Sequence, residues 1–424
     1  TQVAVACLAL VGCSTPSSEP SSDNKVTIYG VYTDAQAQAF QDELTAWGTE
    51  NGISVVYQPL SSFETDLQTN IDVGTAPDIA IWPEPVDVLA HARAGDVLAL
   101  DDIGGLDLAA PKSTLVPGWD TLAVADGKTY ALPVSAKVRS LVFYNPAEFA
   151  RYGYMVPTTD AEFTALVDKI KKDGSGYPFC AGIESGGATG WPITDWLEHY
   201  VLDYNGADAY NRWIDGKLKF GSDAVGKAAD KVASLLLSKG SVNGGGTRMA
   251  TNSFGDTAPL FETGGKAKGQ CFMLRQGAFI TDFFPDSIKA ELAASNYAHA
   301  DVFPLPPPAN AQAGIIGVGE LAAAFNAEPD TVKVLQFLYS DKVGSEMAKI
   351  SGFASPHKTF DPNLYPDPLS KKIGQIMSTA SVFGFDASEC MPSPVKAEFW
   401  AAGTDWVTGK VSWTQAAARI ESKF

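Results

Sequence analysis

Between residues 26 and 95 the chain alternates strand and helix signals without a break, and this alternation restricts the fold more than any other feature. Residues 26–31 read as a strand, 35–48 as an amphipathic helix with Phe40, Leu44 and Trp47 on one face, and 53–57 as a second strand. A helix over 63–73, a strand over 78–82 ended by Pro83, and a helix over 86–94 stopped by Gly95 complete the run. Parallel strands need a helical crossover, so the pattern predicts a parallel sheet in an α/β domain. Further on, Asp126-Gly127-Lys128 predicts a tight turn between extended segments 121–125 and 129–132, and residues 132–145 form a long, partly polar extended run. Helices are expected over 161–172, 194–202, 223–239, 331–340 and 342–350, a Gly-rich loop over 241–247, and strands over 271–280, 300–304 and 314–325. The last hundred residues read as helical, with loops at 355–368 and 383–394.

A chain of 424 residues exceeds what one core normally serves, so two domains are expected. The net charge of −18, from 49 acidic and 31 basic residues, argues against nucleic acid and against direct docking on an anionic membrane. Residues 3–11 carry no charge and are too few to span a bilayer, which takes about 20. They have the length of a signal-peptide apolar region, and residues 1–12 are read as a signal remnant. Leu10-Val11-Gly12-Cys13 resembles a bacterial lipobox, which makes Cys13 the expected lipid attachment point. Residues 13–24 then form a Ser/Pro-rich leash with a reach on the order of 20 Å. With Cys7 leaving with the signal and Cys13 lipidated, Cys180, Cys271 and Cys390 remain. One bridge plus one free thiol is the simplest accounting, Cys180 with Cys271 being the favoured pair, and the lack of any C-x-x-C spacing speaks against zinc.

Catalytic templates mostly fail. The four histidines fall in no metal-ligand spacing, Ser185 in G-I-E-S-G lacks the nucleophile-elbow order, and Gly314-Ile315-Ile316-Gly317-Val318-Gly319 has the wrong spacing for a dinucleotide loop. No cofactor is expected. Aromatic and polar residues instead gather in loops: Trp82-Pro83-Glu84-Pro85 after a strand, residues 186–196 with Trp191 and Trp196 around a helix start, and residues 383–389. Pyranose rings pack C–H faces on aromatic rings and offer hydroxyl pairs to charged and amide side chains, so this mixture suits a sugar. Trp47, Trp213 and Trp406, at helical spacing, read as core; Trp82 and Trp191, beside Pro and Gly, read as candidates for a ligand.

Several stretches together resemble the extracellular solute-binding lipoproteins of bacterial carbohydrate ABC importers, of the maltose/maltodextrin-binding type and its α-glucoside-binding branch. They are P-D-I-A-I-W-P-E-P, Y-A-L-P-V-S-A-K-V-R-S-L-V-F-Y-N, C-A-G-I-E-S-G-G-A-T-G-W-P-I-T-D-W, Q-C-F-M-L-R-Q-G-A-F-I, S-G-F-A-S-P-H-K and F-D-A-S-E-C-M-P. The resemblance implies a two-lobed α/β fold of the periplasmic-binding-protein type II, with a hinge and an interlobe ligand cleft. Carried onto this chain, residues 25–136 plus 316–340 make the N-terminal lobe and 137–315 plus 341–424 the C-terminal lobe, with crossings near 134–138, near 314–317 and after Ser340. It implies ligand contacts from Trp82, Glu84, Lys137, Ser140, Trp191, Asp195, Arg275 and Asp386, and it supports the Cys180–Cys271 pairing. The expected activity is capture, without catalysis, of a glucosidic di- or trisaccharide by a monomer anchored by lipid on the outer face of a bacterial cell membrane. The protein would deliver this sugar to ABC permease subunits. A surface glycosidase, or a receptor for a non-sugar solute, are the alternatives. Two departures from the pattern are the cations of Ala136-Lys137-Val138-Arg139 at the hinge and the thiol of Cys390.

Overall fold

The computed structural model describes residues 24–424 apart from 312 and 351; the expected signal remnant, Cys13 and the leash up to residue 23 lie outside the described residues. Among the described residues no helix is long and apolar enough to cross a membrane.

The first sheet has the strand order Ser54–Pro59, Lys25–Gly30, Ile79–Trp82, Leu321–Ala324, Leu132–Pro133. Its first three strands run parallel, with Ile28 opposite Tyr57 on one side and Ile79 on the other. The helices Asp34–Asn51 and Phe63–Asp72 make the crossovers, the first burying Phe40 and Leu44 and the second Phe63 and Leu67. Leu321–Ala324 returns from far along the chain and pairs antiparallel, Leu321 opposite Trp82.

A second sheet has the order Asp301–Pro304, Leu141–Tyr144, Cys271–Gln276, Tyr177–Phe179. Two helices cover it. Asp160–Asp173 opens on a Thr159/Glu162 capping box and buries Phe163, Leu166, Val167 and Ile170. Trp191–Ile214 is broken at Gly206, whose φ of 76° no helix contains.

Between these units lies a three-stranded sheet, Val382–Phe385, Gly314–Val318, Lys137–Val138. Lys137–Val138 carries the chain from the first sheet to the second, and Gly314–Val318 carries it back. They run side by side and antiparallel, Gly317 opposite Val138 and Val318 opposite Lys137. A Cβ on Gly317 would sit 2.3 Å from the Lys137 carbonyl oxygen, so the close approach of the two segments requires glycine there. A third segment joins them through reciprocal Ala136–Ala354 backbone hydrogen bonds of 2.8 Å.

Three local expectations change. The single strand over 314–325 is two strands in different sheets, broken at Gly319 and Glu320. The loop expected over 383–394 begins inside the strand Val382–Phe385, whose partner is Gly314–Gly317. The helix over 342–350 is reduced to the turn Met347–Lys349. There the buried Glu43 carboxylate accepts the N–H groups of Gly344 (2.7 Å) and Ser345 (2.8 Å), fastening the segment to the first unit. Pro356 and Lys358, in the stretch after Ser340 that the sequence reading assigns to the second lobe, continue this attachment: Val116 N–H donates to Pro356 and Lys358 N–H to Thr114. The Cys180–Cys271 disulfide forms as expected, and Cys390 is a free, half-buried thiol.

Candidate functional site

Gly190 takes φ 115° immediately before Trp191, and a Cβ there would lie 2.3 Å from the Trp400 carbonyl oxygen. The chain then enters the helix Trp191–Ile214 with Pro192 in its first turn. Helical spacing puts Trp191, Asp195 and Glu198 on one face, so a single element presents an indole and two carboxylates in file.

Arg139, just past the first crossing, fills the space before that face. Its guanidinium lies over the Trp191 ring, 5.3 Å from the centroid, bonds the Asp386 carboxylate, and stands 3.7 Å from Asp195 Oδ1. Asp386 also accepts from Ser388 Oγ at 2.8 Å. Arg275, next to the carboxyl end of the strand Cys271–Gln276, donates from Nη1 to Asp195 Oδ2 (3.1 Å) and from Nη2 to the Asp195 carbonyl oxygen (2.8 Å). Glu198 accepts the N–H groups of Ala387 (3.0 Å) and Ser388 (3.3 Å).

Asp195, Glu198 and Asp386 thus converge, with ligand atoms within 4.8 Å of one another and all three side chains buried. Two guanidinium groups are seated against this cluster, Arg139 on Asp386 and Asp195 and Arg275 on Asp195. Burial pushes the Asp195 carboxyl up to about 7 against the pull of Arg275 and Arg139, and pushes Glu198 well above its ordinary range. Desolvation opposes the charge on Arg139 as well, and Asp386 and Asp195 more than offset it.

An aromatic cluster extends from Trp191. Phe254 lies 5.3 Å from it, Phe279 5.9 Å, and Phe283 continues 5.3 Å beyond Phe254 with 48% of its surface exposed.

The two units also meet at Glu84, at the carboxyl end of the parallel strand Ile79–Trp82, where open α/β sheets bind ligands. Lys396 on the helix Ser393–Val407 reaches both Glu389 (2.9 Å) and Glu84 (3.5 Å). Burial, with Glu389 and Asp87 adding to it and Lys396 opposing, pushes the Glu84 carboxyl up to about 8. An unfolded Glu titrates near 4.3, so the folded protein binds the extra proton between the two values and its stability falls as pH rises through that window. The Glu84→Gln variant removes this dependence. Its stability advantage over the parent, read from urea midpoints, is expected to grow from pH 5 to pH 8; an advantage constant with pH would contradict the assignment.

Three expected contacts have other surroundings. Trp82 is 1% exposed, packed edge-on by Phe63 at 5.7 Å and stacked by Phe325 at 5.9 Å. The pairing of Leu321–Ala324 beside its strand places the indole in the core rather than at a sheet edge. Ser140 is fully buried; its Oγ accepts from Ile316 N–H (2.7 Å) and lies 3.0 Å from His199 Nδ1. His199 Nε2 is 3.2 Å from Asp203 Oδ2, and Asp203 Oδ1 accepts from Gly314 N–H (2.9 Å). The Ser–His–Asp order suggests a nucleophile, yet the group is sealed from solvent and fastens the crossing strand Gly314–Val318 at two points. Lys137, one-third exposed, pairs with Glu320, which also takes the Ser135 hydroxyl; Ser135 in turn accepts from Tyr32 at 3.0 Å. The structure brings Trp191, Asp195, Arg275 and Asp386 together, and Glu84 to the facing side.

Arg139, Glu198, Lys396, Phe254 and Phe279 are absent from the sequence-derived set. For Arg139 the signal was present as an unexpected cation at the hinge, and for Glu198 as a carboxylate one turn after Asp195. Lys396 is one lysine among many.

The profile of the family described as bacterial extracellular solute-binding protein matches residues 33–344. The osmoprotective compounds-binding protein GgtB of Synechocystis sp. is 33% identical over 412 residues, covering 96% of this chain and 95% of its own. The alpha-glucosides-binding periplasmic protein AglE of Rhizobium meliloti is 31% identical over 400 residues, covering 91% and 84%. Among solved structures, the bacterial solute receptor AcbH aligns with a TM-score of 0.77 at 18% identity, over 94% of this chain and 98% of that one. The sugar-binding protein MalE of Xanthomonas citri aligns with a TM-score of 0.71 at 16% identity, over 94% and 95%. These structural likenesses bear on the fold, which is that of the two-lobed solute receptors. With three-quarters of its length inside the family match and two relatives aligned nearly end to end, the chain belongs to the bacterial extracellular solute-binding proteins.

Proposed function

We propose that this protein captures a glucosidic oligosaccharide between its lobes and hands it to the permease of an ABC importer. The observation that carries the reading is the Arg139 guanidinium laid on the Trp191 ring between two carboxylates, with Phe254 and Phe279 alongside. An aromatic face beside a fixed fork of donors suits the two surfaces of a pyranose, its C–H face and its hydroxyl edge. The relative named for α-glucosides supports the sugar class. Residues 137–138, 314–318 and the stretch around Ala354 serve as the hinge. Closure brings Glu84 of one lobe onto Lys396 of the other, and ligand contacts on both sides favour the closed state. Lipid attachment at Cys13 and a monomeric state complete the proposal.

Isothermal titration against α- and β-linked di- and trisaccharides tests it: binding tighter than millimolar, one sugar per chain, is expected, with no products released. Trp191→Ala should weaken that binding 10- to 100-fold, about 1.4–2.7 kcal/mol, which is the scale of one lost aromatic platform. Sustained hydrolysis of the sugar would favour the glycosidase alternative, and an unaffected Trp191→Ala variant would favour a ligand without pyranose stacking.

A further inference from the structure

We propose that the site takes an uncharged glycoside and turns away its anionic counterparts, with Arg139 as the specificity-determining residue. The inference rests on the sugar reading and adds to it the charge of the ligand.

A free arginine in a receptor cleft would ordinarily invite an anion. Here the cation is already balanced. Arg139 is bonded to Asp386 and flanked by Asp195, and Arg275 is bonded to the same Asp195. Two further cations near the meeting of the two units are matched in the same way, Lys396 by Glu389 and Glu84 and Lys137 by Glu320. Glu198 adds a further carboxylate beside Asp195 and Asp386. Four cations therefore face six carboxylates. Burial drives Glu84, Glu198 and Asp195 toward their neutral forms; at pH 7.5 Asp195, pushed up to about 7, is mostly ionised, so with Glu84 and Glu198 protonated the count is four against four. The site carries no positive excess, and the chain as a whole carries −18.

Neutralised in charge, Arg139 keeps its geometry. A guanidinium has five N–H donors in a rigid fork, and the contacts to Asp386 and Asp195 are both made from Nη1. The indole beneath it fixes its plane. Such a group reads vicinal hydroxyl oxygens by hydrogen bonding, while the flanking carboxylate oxygens repel a phosphate or carboxylate brought to the same place.

The test compares matched pairs by titration calorimetry on the purified protein at pH 7.5: trehalose with trehalose 6-phosphate, sucrose with sucrose 6-phosphate, and maltose with maltobionate. At least one neutral member should bind, its anionic partner tenfold or more weaker. Asp386→Asn, which releases the charge of Arg139, should shift the anion-to-neutral affinity ratio at least tenfold toward the anion. Glu389→Gln, at a more exposed position, should shift it in the same direction by freeing Lys396, and it serves if the buried variant does not fold. An anion that binds as tightly as its neutral partner, or a ratio unmoved in both folded variants, overturns the inference while leaving a sugar receptor in place. If no member of any pair binds, the sugar reading falls and this inference falls with it.

Discussion

Replacing Arg275 with alanine is expected to lower the unfolding free energy by about 3–5 kcal/mol, the range for breaking a buried ion pair by removing one partner. The Arg275 side chain is 1% exposed and that of Asp195 fully buried, so neither charge can turn to water when the other is lost. Two hydrogen bonds disappear together, to the Asp195 carboxylate and to its carbonyl oxygen, along with the packing of the guanidinium on Trp196 at 5.5 Å. Arg139, 3.7 Å from Asp195, remains as a weaker counter-charge already engaged by Asp386. Lysine should rescue little, because a point charge cannot reproduce the two-nitrogen grip on one residue. The double variant Arg275→Met with Asp195→Leu should recover most of the loss, since removing both charges leaves no orphan. Urea unfolding followed by tryptophan fluorescence reads all three. A single-variant loss under about 1 kcal/mol, or a double variant no better than the single, would mean that the pair is solvated in solution. The double variant is also expected to lose ligand affinity, because Asp195 helps to hold Arg139 over Trp191.

This division between a buried structural pair and a guanidinium proposed to face the ligand was only partly legible in the sequence. The three parallel strands of the first sheet were, because they and their crossover helices are local: 53–57 against the observed Ser54–Pro59, and 63–73 against Phe63–Asp72. So was the turn at Asp126-Gly127-Lys128, where Asp126 and Gly127 take φ of 52° and 76°. The strand Val382–Phe385 was not. Its partner Gly314–Val318 lies far back in the chain, and its own Gly384 and the following Asp386-Ala387-Ser388-Glu389 look like loop chemistry. Trp82 shows the same limit from the other direction. A W-P step after a strand suggests a sheet edge, and only the arrival of Leu321–Ala324 makes that position interior. The site itself draws on residues 139, 195, 275 and 386, brought together from four distant segments. Their chemical types were readable one by one, but the balance of charge among them depends on distances that no spacing in the chain encodes.

Removing the Cys180–Cys271 bridge as the double alanine variant is expected to cost about 2–5 kcal/mol and to weaken ligand binding at the same time. The stability loss follows from the freedom restored to the unfolded chain: the two cysteines are 91 residues apart, and a loop of that length corresponds to roughly 4.6 kcal/mol in the chain-entropy account. The effect on binding follows from position. Cys271 opens the strand that carries Arg275, and Cys180 stands ten residues before Gly190, at the root of the segment leading to Trp191. The bridge therefore staples the support of the indole to the support of the guanidinium. The parallel pairing of Tyr177–Phe179 with Cys271–Gln276, with backbone hydrogen bonds from Tyr177 N–H to Gln270 (2.9 Å) and from Cys180 N–H to Met273 (2.8 Å), remains to hold the same junction when the sulfurs are gone. Binding should accordingly weaken several-fold rather than vanish. Cys390→Ala is the matched control: its thiol closes no loop, and the change should cost less than about 1 kcal/mol. Equal losses at Cys390 and at the bridge would show that thiol packing, and not the covalent link, sets the stability of this region. A bridge variant that is destabilised yet binds with full affinity would separate the fold of the Trp191 segment from the staple beneath it.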